Sequence, residues 1–421
     1  MAQMTWSPFS KISKLFGKYF NLANFLYIFS LYIYLYMNVG IIGSGGRENS
    51  ICLSLSKSKK VDKIFCIPGN GGTENISKNL KIDINNFHEI KNAIEKYKID
   101  LIVVGPEKPL VDGIVDFFKN SNVKIFGPNK AASQLEGSKI FTKKLCQKYN
   151  IPTAKFGIFQ NSKLSKNFIK NSNFPIVIKA DGLASGKGVY ISENLQEAYT
   201  AVDEIFNGKF GKAKNILIEE FLAGEEMSYF VITDWRSIKA FETAQDHKRV
   251  NEGDKGKNTG GMGAYSPSRL INKNLETKII NKIIYPTLEG LQDLGIKYKG
   301  FLYAGLMIKN NEPYLIEYNV RMGDPECQTI LPKLETDLTE ILLSCCDEKL
   351  NKQKIQWNKK KSMSIVLCAK GYPDEYKKNS IIEKINNIQI DQDNLCFHAG
   401  TISKNKKIFA VGGRVLNFVS L

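Results

Sequence analysis

From Met37 to Gly127 the chain repeats one unit four times: a short apolar run, then a glycine or proline stop. The runs are MNVGIIG (37–43), VDKIFCI (61–67), IDLIVVG (99–105) and VKIFG (123–127), with helical stretches at 47–57, 86–97 and 110–120 between them. Strands this apolar are buried on both faces. Strand–helix–strand order closes a parallel sheet through right-handed crossovers. Ligands sit beyond the carboxyl ends of such strands. That places Gly43-Ser44-Gly45-Gly46-Arg47-Glu48 at a candidate anion site, where glycines admit a phosphate to the backbone and a helix N-terminus attracts it. A dinucleotide site fits poorly, because Glu48 takes the third glycine position and Pro68 stands where a ribose-binding acid belongs. A plain tight turn explains the motif equally well.

Beyond a helix at 138–149 the pattern turns antiparallel, with strands at 174–180, 188–192, 216–222, 226–233 and 237–243. Lys179 ends the apolar run Ile176-Val177-Ile178 and needs an anion if it is buried; the alternative is a lysine snorkelling at a strand end. Residues 182–188 resemble a P-loop but lack one residue between the glycines, and Gly188 takes the Ser/Thr place. As a strand turn this segment suits a lid over a triphosphate. The loop 246–264 joins Asp246, His247 and Lys248 to Gly260, Gly261, Met262 and Gly263, which reads as an anion site. In the hairpin 301–309/313–320, alternation puts Tyr314, Ile316, Tyr318 and Val320 on one face and Leu315, Glu317, Asn319 and Arg321 on the other. Glu317 and Asn319 are hard oxygen donors suited to Mg²⁺, and Arg321 offers a fork for phosphate or carboxylate. A solvated strand face is the alternative.

The net charge of +17 invites a nucleic-acid reading, but the cations are 53 Lys and only 6 Arg, with Lys scattered along the chain. Base readout leans on Arg, so the charge better suits phosphate-bearing small substrates. The 8 cysteines form no C-x-x-C pair and there are only 3 His, so no zinc cluster is visible. Scattered thiols fit a reducing cytosol. Residues 1–36 hold Lys11, Lys14 and Lys18, no acid, and a largely apolar run from Tyr19 to Tyr36. The expectation is an extraneous leader ahead of a fold that starts at Met37; an anchor is the alternative, and only then is a membrane involved.

Seven segments carry a resemblance: GGRE (45–48), GPEKPLVDGIVD (105–116), FGPNKAASQLEGSK (126–139), IKADGLASGKGV (178–189), EEFLAGEEMS (219–228), DHKR with NTGGMGAYSP (246–267), and IEYNVRMGDPECQ (316–328). Together, and in this order, they resemble the phosphoribosylamine–glycine ligase family of ATP-grasp enzymes. The resemblance implies an α/β and α+β multidomain fold. It would comprise a parallel α/β domain at 37–138, an ATP-grasp domain at 139–350 with a lid at about 153–225, and a small α/β unit at 351–421. It implies that ATP, glycine and 5-phosphoribosylamine give glycinamide ribonucleotide, ADP and phosphate, in the cytoplasm and as a monomer. Lys139, Lys179, Gly186 and Lys187 would face ATP phosphates, Glu219, Glu220, Phe221 and Leu222 the adenine, and Glu226 the ribose. Glu317 and Asn319 would bind Mg²⁺ or Mn²⁺. Gly45, Gly46, Arg47, Glu48, Gly105, Pro106 and Glu107, with the Gly260–Gly263 loop, would line the substrate site. Asp246, Lys248 and Arg321 would face glycine and the transferring phosphate.

Two departures stand out. Asn49 takes the place of the family's usual His. The last residues, GGRVLNFVSL (412–421), stop before a further helix and strand, so the C-terminal unit is expected to be incomplete and to expose apolar surface. Three rivals remain open at this point: an ATP-grasp ligase with another acceptor, an inactive nucleotide-binding protein, and a basic nucleic-acid binder.

Overall fold

The structure is a computed structural model that describes residues 36–183, 188–211, 213–253 and 255–421. The expected leader and the candidates Gly186 and Lys187 lie outside the described residues. Among those described, no helix is long and apolar enough to cross a membrane.

The four apolar runs form β1 (Met37–Gly43), β2 (Val61–Pro68), β4 (Ile99–Val104) and β5 (Lys124–Phe126), with a two-residue β3 (Lys78–Asn79) at the edge. They pair in parallel in the order β3-β2-β1-β4-β5. Alternate residues of β1 face opposite cores. Val39 and Ile41 pack with Ile51, Cys52 and Leu55 of α1 (Gly46–Ser56), and Ile42 packs with Ile90 and Ile94 of α2 (Phe87–Tyr97). The single helix expected at 110–120 is broken in two by Gly113, whose φ of 97° ends the first piece at Asp112.

A four-stranded antiparallel sheet, β6-β9-β7-β8, follows α3 (Lys139–Lys148). Its strands are β6 (Phe156–Phe159), β7 (Ile176–Ala180), β8 (Val189–Ser192) and β9 (Ile216–Glu220), covered by α4 (Ser162–Ile169) and α5 (Leu195–Phe206).

The largest sheet has eight strands in the order β16-β15-β10-β11-β14-β17-β22-β19. They are β10 (Glu225–Thr233), β11 (Ile238–Asp246), β14 (Gly263–Ser266), β15 (Gly300–Lys309), β16 (Glu312–Asn319), β17 (Ser362–Cys368), β19 (Asn394–His398) and β22 (Arg414–Ser420). Its face shares a core with the parallel sheet: the Phe126 ring meets that of Phe301 edge-on at 5.2 Å. Part of the loop expected at 246–264 is a hairpin of β12 (Arg249–Asn251) and β13 (Lys255–Asn258).

The expected alternation along β16 is corrected. Gly305 pairs with Glu317 but Leu306 with Leu315, so Ile316 is an extra residue. One extra residue reverses which side chains point inward. Leu315 therefore enters the core with Tyr318 and Val320, not the face of Glu317. Glu317 and Asn319 still alternate and stay half-buried.

Of the strands after residue 360, β17, β19 and β22 continue the large sheet, while Ser380–Ile382, Thr401–Lys404 and Lys407–Ala410 form a separate three-stranded sheet. On β17 the alternate residues Met363, Ile365 and Leu367 are 54%, 60% and 52% exposed. Phe418 pairs with Ile365 and lies on the same face. Such a stripe drives self-association. Ile365→Lys should reduce light scattering at high concentration by about half while shifting the melting temperature by less than about 2 °C. An equal scattering curve would show that the stripe is not the cause.

Candidate active site

The turn after β1 is built around a carboxylate. Glu48 Oε2 accepts the Gly45 N–H at 2.6 Å, and Glu48 Oε1 lies 2.6 Å from Arg47 Nε. A side chain at Gly43, where φ is 124°, would strike the Glu48 carboxyl at 2.6 Å, and one at Gly105 would collide with it too. These glycines thus first make room for Glu48, where sequence reasoning placed a ligand phosphate. Arg47 Nη1 donates to Met322 O at 3.1 Å and its backbone N–H to Asp324 Oδ2 at 3.3 Å. The start of α1 is therefore tied to the segment after β16.

Arg321 joins Arg47 and Gly105 at the edge of a small, mostly apolar void whose other walls include Ile51, Val103, Phe126 and Phe301. Its guanidinium is 3.2 Å from Glu107 Oε2 and 2.7 Å from Glu136 Oε1. Glu136 Oε2 also accepts the Val320 N–H at 2.8 Å. Burial pushes both carboxyls up. At Glu107 the fields of Arg321 and Arg47 overcome it and hold the group at about 2. At Glu136 burial wins and carries it to about 7. Pro106 begins the short helix that presents Glu107.

A second cluster joins residues that the resemblance gave to different substrates. Lys248 Nζ lies 2.7 Å from Glu226 Oε2. Asp246, two residues before Lys248, is raised by burial against the opposing field of Lys248. The charge of Glu317 acts on both Lys139 and Lys248. Lys139 Nζ donates to Gly182 O at 2.8 Å, and burial lowers its pKa. Glu317 and Asn319 are not tied to other described side chains, so their oxygens can accept a cation. No group of three His, Cys, Asp or Glu among the described residues makes a metal cage. Two oxygen donors fit a divalent cation that keeps waters and phosphate oxygens as its other ligands.

On β9, Glu219 and Glu220 point to opposite faces. Glu219 is buried between Lys143 and Lys179, while Glu220 Oε1 accepts the Lys155 N–H at 2.9 Å. Phe221 is 38% exposed, and Leu222 follows it as the chain leaves the sheet. The Glu219 carboxylate is thus engaged by the two lysines.

The Gly260–Gly263 loop is held from the C-terminal strand. Arg414 Nη1 donates to Gly260 O at 2.5 Å and to Asp324 O at 2.6 Å. Gly261 has a φ of 111°, and a side chain there would meet Pro325 at 2.5 Å. Met262 N–H donates to His247 O at 2.8 Å. On the other side, Asn70 Nδ2 donates to Ser44 O at 2.9 Å and to His398 O at 2.8 Å. Asn49 Oδ1 accepts the His398 N–H at 2.8 Å, which gives this unusual residue a role in joining β19 to α1. Gln328 and Asn417 bring side-chain amides against Gly46, with Gln328 Oε1 and both Asn417 amide atoms buried and unpartnered.

Sequence reasoning missed Glu136, Lys143, Asn70, Arg414, Gln328 and Asn417 as site residues. Lys143 was findable, because it follows Lys139 by one helical turn. Arg414 was findable as one of six Arg, half of which, Arg47, Arg321 and Arg414, converge here. The rest depend on long-range contacts.

Glu136 gives a pH test with a definite sign. Its folded pKa near 7 exceeds the ordinary 4.5, so the folded chain binds the extra proton. Stability from this group is complete below the ordinary value and is lost as pH rises through about 7. Glu136→Gln removes that loss. Between pH 5 and pH 8 the stability difference between variant and wild type should move in the variant's favour by about 2–3 kcal/mol. A pH-independent difference in denaturant melts would refute it.

Family models describe the same chain in three parts. Phosphoribosylglycinamide synthetase N, ATP-grasp (A) and C domains match residues 37–136, 137–327 and 362–421. A phosphoribosylamine–glycine ligase of Brucella melitensis is 43% identical, with 91% of this chain and 90% of the relative covered. That of Pasteurella multocida is 45% identical over 91% of this chain and 90% of the relative. The crystal structure of phosphoribosylamine–glycine ligase from Thermotoga maritima superposes with a TM-score of 0.78 at 33% identity, covering 91% of this chain and 92% of that one. The biotin carboxylase domain of Hydrogenobacter thermophilus 2-oxoglutarate carboxylase shares the fold, with a TM-score of 0.69 at 15% identity over 92% of this chain and 86% of that one. With three domain models matched in order and relatives above 40% identity over nine-tenths of the chain, the protein belongs to the phosphoribosylglycinamide synthetase family.

Proposed function

We propose that this chain is a phosphoribosylamine–glycine ligase acting through glycyl phosphate in de novo purine synthesis, in the cytoplasm and as a monomer. The observation that carries the reading is 43% identity to such a ligase over 91% of the chain. The chemistry agrees with the residues. A carboxylate is a poor acylating agent. Transfer of the γ-phosphoryl group from ATP to a glycine oxygen releases ADP and makes the carboxyl carbon reactive. The amine of phosphoribosylamine then attacks that carbon, the carbon–oxygen bond to phosphate breaks, and the amine loses a proton. Phosphoryl transfer of this kind needs positioning and charge neutralisation more than a protein nucleophile.

Lys139 and Lys179 would meet the ATP phosphates. Glu317 and Asn319 would hold Mg²⁺ or Mn²⁺, which neutralises phosphate charge when bound. Arg47, Glu48, Glu107 and Arg321, paired with one another around the first glycine turn, would face the phosphoribosyl substrate. Arg321 already bears two carboxylates, so its contribution is orientation more than free positive charge. Asp246 and Lys248, with Arg321, would face glycine and the transferring phosphate.

ADP release should require ATP, glycine and phosphoribosylamine together; release independent of glycine would favour a different acyl donor. Glu317→Ala should lower turnover by at least about tenfold at limiting Mg²⁺ through loss of an oxygen ligand. Unchanged turnover would remove Glu317 from the metal site.

A further inference from the structure

Beside the candidate nucleotide site, three charged side chains are buried in contact. Lys143 Nζ lies 2.8 Å from Glu219 Oε1 and Lys179 Nζ 2.7 Å from Glu219 Oε2. All three side chains are at most 5% exposed. The Oε1 contact is ionic and off the hydrogen-bonding angle. Lys143 is fixed from two more directions: its ammonium donates to Thr153 Oγ1, which itself donates to Leu315 O at 2.6 Å, and it lies 5.7 Å from the Phe156 ring. It therefore has little freedom to leave. Among the described residues Lys179 has no such second anchor, and it stands on the strand that runs into the Gly182 turn.

The triad holds two cations and one carboxylate, so it carries a surplus positive charge. Moving Lys179 off Glu219 would leave a buried carboxylate bare unless another cation remains on it, and uncompensated buried charge is strongly unfavourable. We propose that Lys143 is a positioning residue that keeps Glu219 neutralised, so that Lys179 can transfer from this carboxylate to an incoming nucleotide phosphate. Lys143 then never touches ATP and acts only through Glu219. The charges support this assignment: burial raises the Glu219 carboxyl, yet Lys179 and Lys143 together overcome it and keep the group below its ordinary range. The proposal rests on the reading of this cleft as an ATP site, and it is independent of which acceptor is ligated.

The test is nucleotide affinity, measured by calorimetry with a non-hydrolysable ATP analogue and Mg²⁺, and KM values at saturating partner substrates. Lys143→Met should weaken analogue binding and raise KM for ATP by about tenfold or more, with KM for glycine within about twofold, because Glu219 then retains Lys179. Lys143→Arg should recover most of the affinity. The deciding variant is the double substitution K143M/E219Q, which removes the carboxylate that would retain Lys179. Affinity within about threefold of wild type supports the relay, whereas a loss of about tenfold in the double variant overturns it. The double variant also decides the matter if Lys143→Met fails to fold. Wild-type affinity in Lys143→Met overturns the relay alone. No analogue binding by the wild-type chain overturns the ATP reading with it.

Discussion

Buried positive charge in this protein persists because most of the buried cations are met by carboxylates, which for Arg321, Lys143, Lys179 and Lys248, though not for Arg47, stand on a different element. Arg47 has Glu48, Arg321 has Glu107 and Glu136, Lys143 and Lys179 share Glu219, and Lys248 has Glu226. An unpaired charge in these positions would be strongly destabilising, so the pairs constrain where the strands that carry them can lie. Arg321 shows the constraint most clearly. It follows β16, while its partners follow β4 and β5, so the ion pairs lock the large sheet onto the carboxyl ends of the parallel one. The shared core of Phe126 and Phe301 brings the sheets together but is less directional. Charge pairing supplies the directionality.

The same matching shapes the site. Glu48 and Asp324 occupy the N–H groups at the start of α1, and the carboxylates on Arg321 leave it little net charge. Under the proposed function, a phosphorylated substrate at this turn would meet an ordered array of donors whose charges are already balanced. Preorganised dipoles of this kind need no rearrangement as charge develops during reaction. The surplus positive charge lies instead on the lysine side, at Lys139 and at the triad of Glu219.

The C-terminal strands are part of this array. Arg414 holds the Gly260 loop and the turn at Asp324, and the backbone of His398 is held by Asn49 and Asn70 beside the first glycine turn. Through these contacts β19 and β22 close over elements whose sequence motifs lie 90 to 349 residues away. The strongly apolar outer stripe of β17 belongs to the same strands, on the opposite face from these contacts.

The amino-acid sequence by itself determined the parallel sheet and the antiparallel hairpins, and it supplied the candidate residues of the cleft. Those follow from local patterns: apolar runs stopped by glycine, period-two alternation, and motifs such as NTGGMG and NVRMGDPE. It also placed Glu317 and Asn319 on one face. Tertiary structure alone decided what each charged residue touches. The bulge at Ile316, which turns Leu315 inward, arises from pairing with β15 and has no signature in the alternation. The partners Glu136, Asn70 and Arg414 come from distant segments, and only the fold brings their charges and amides to the glycine turn. Local chemistry fixes which residues can pair; the choice among possible partners is a long-range energy, set by which pairing leaves no buried charge alone.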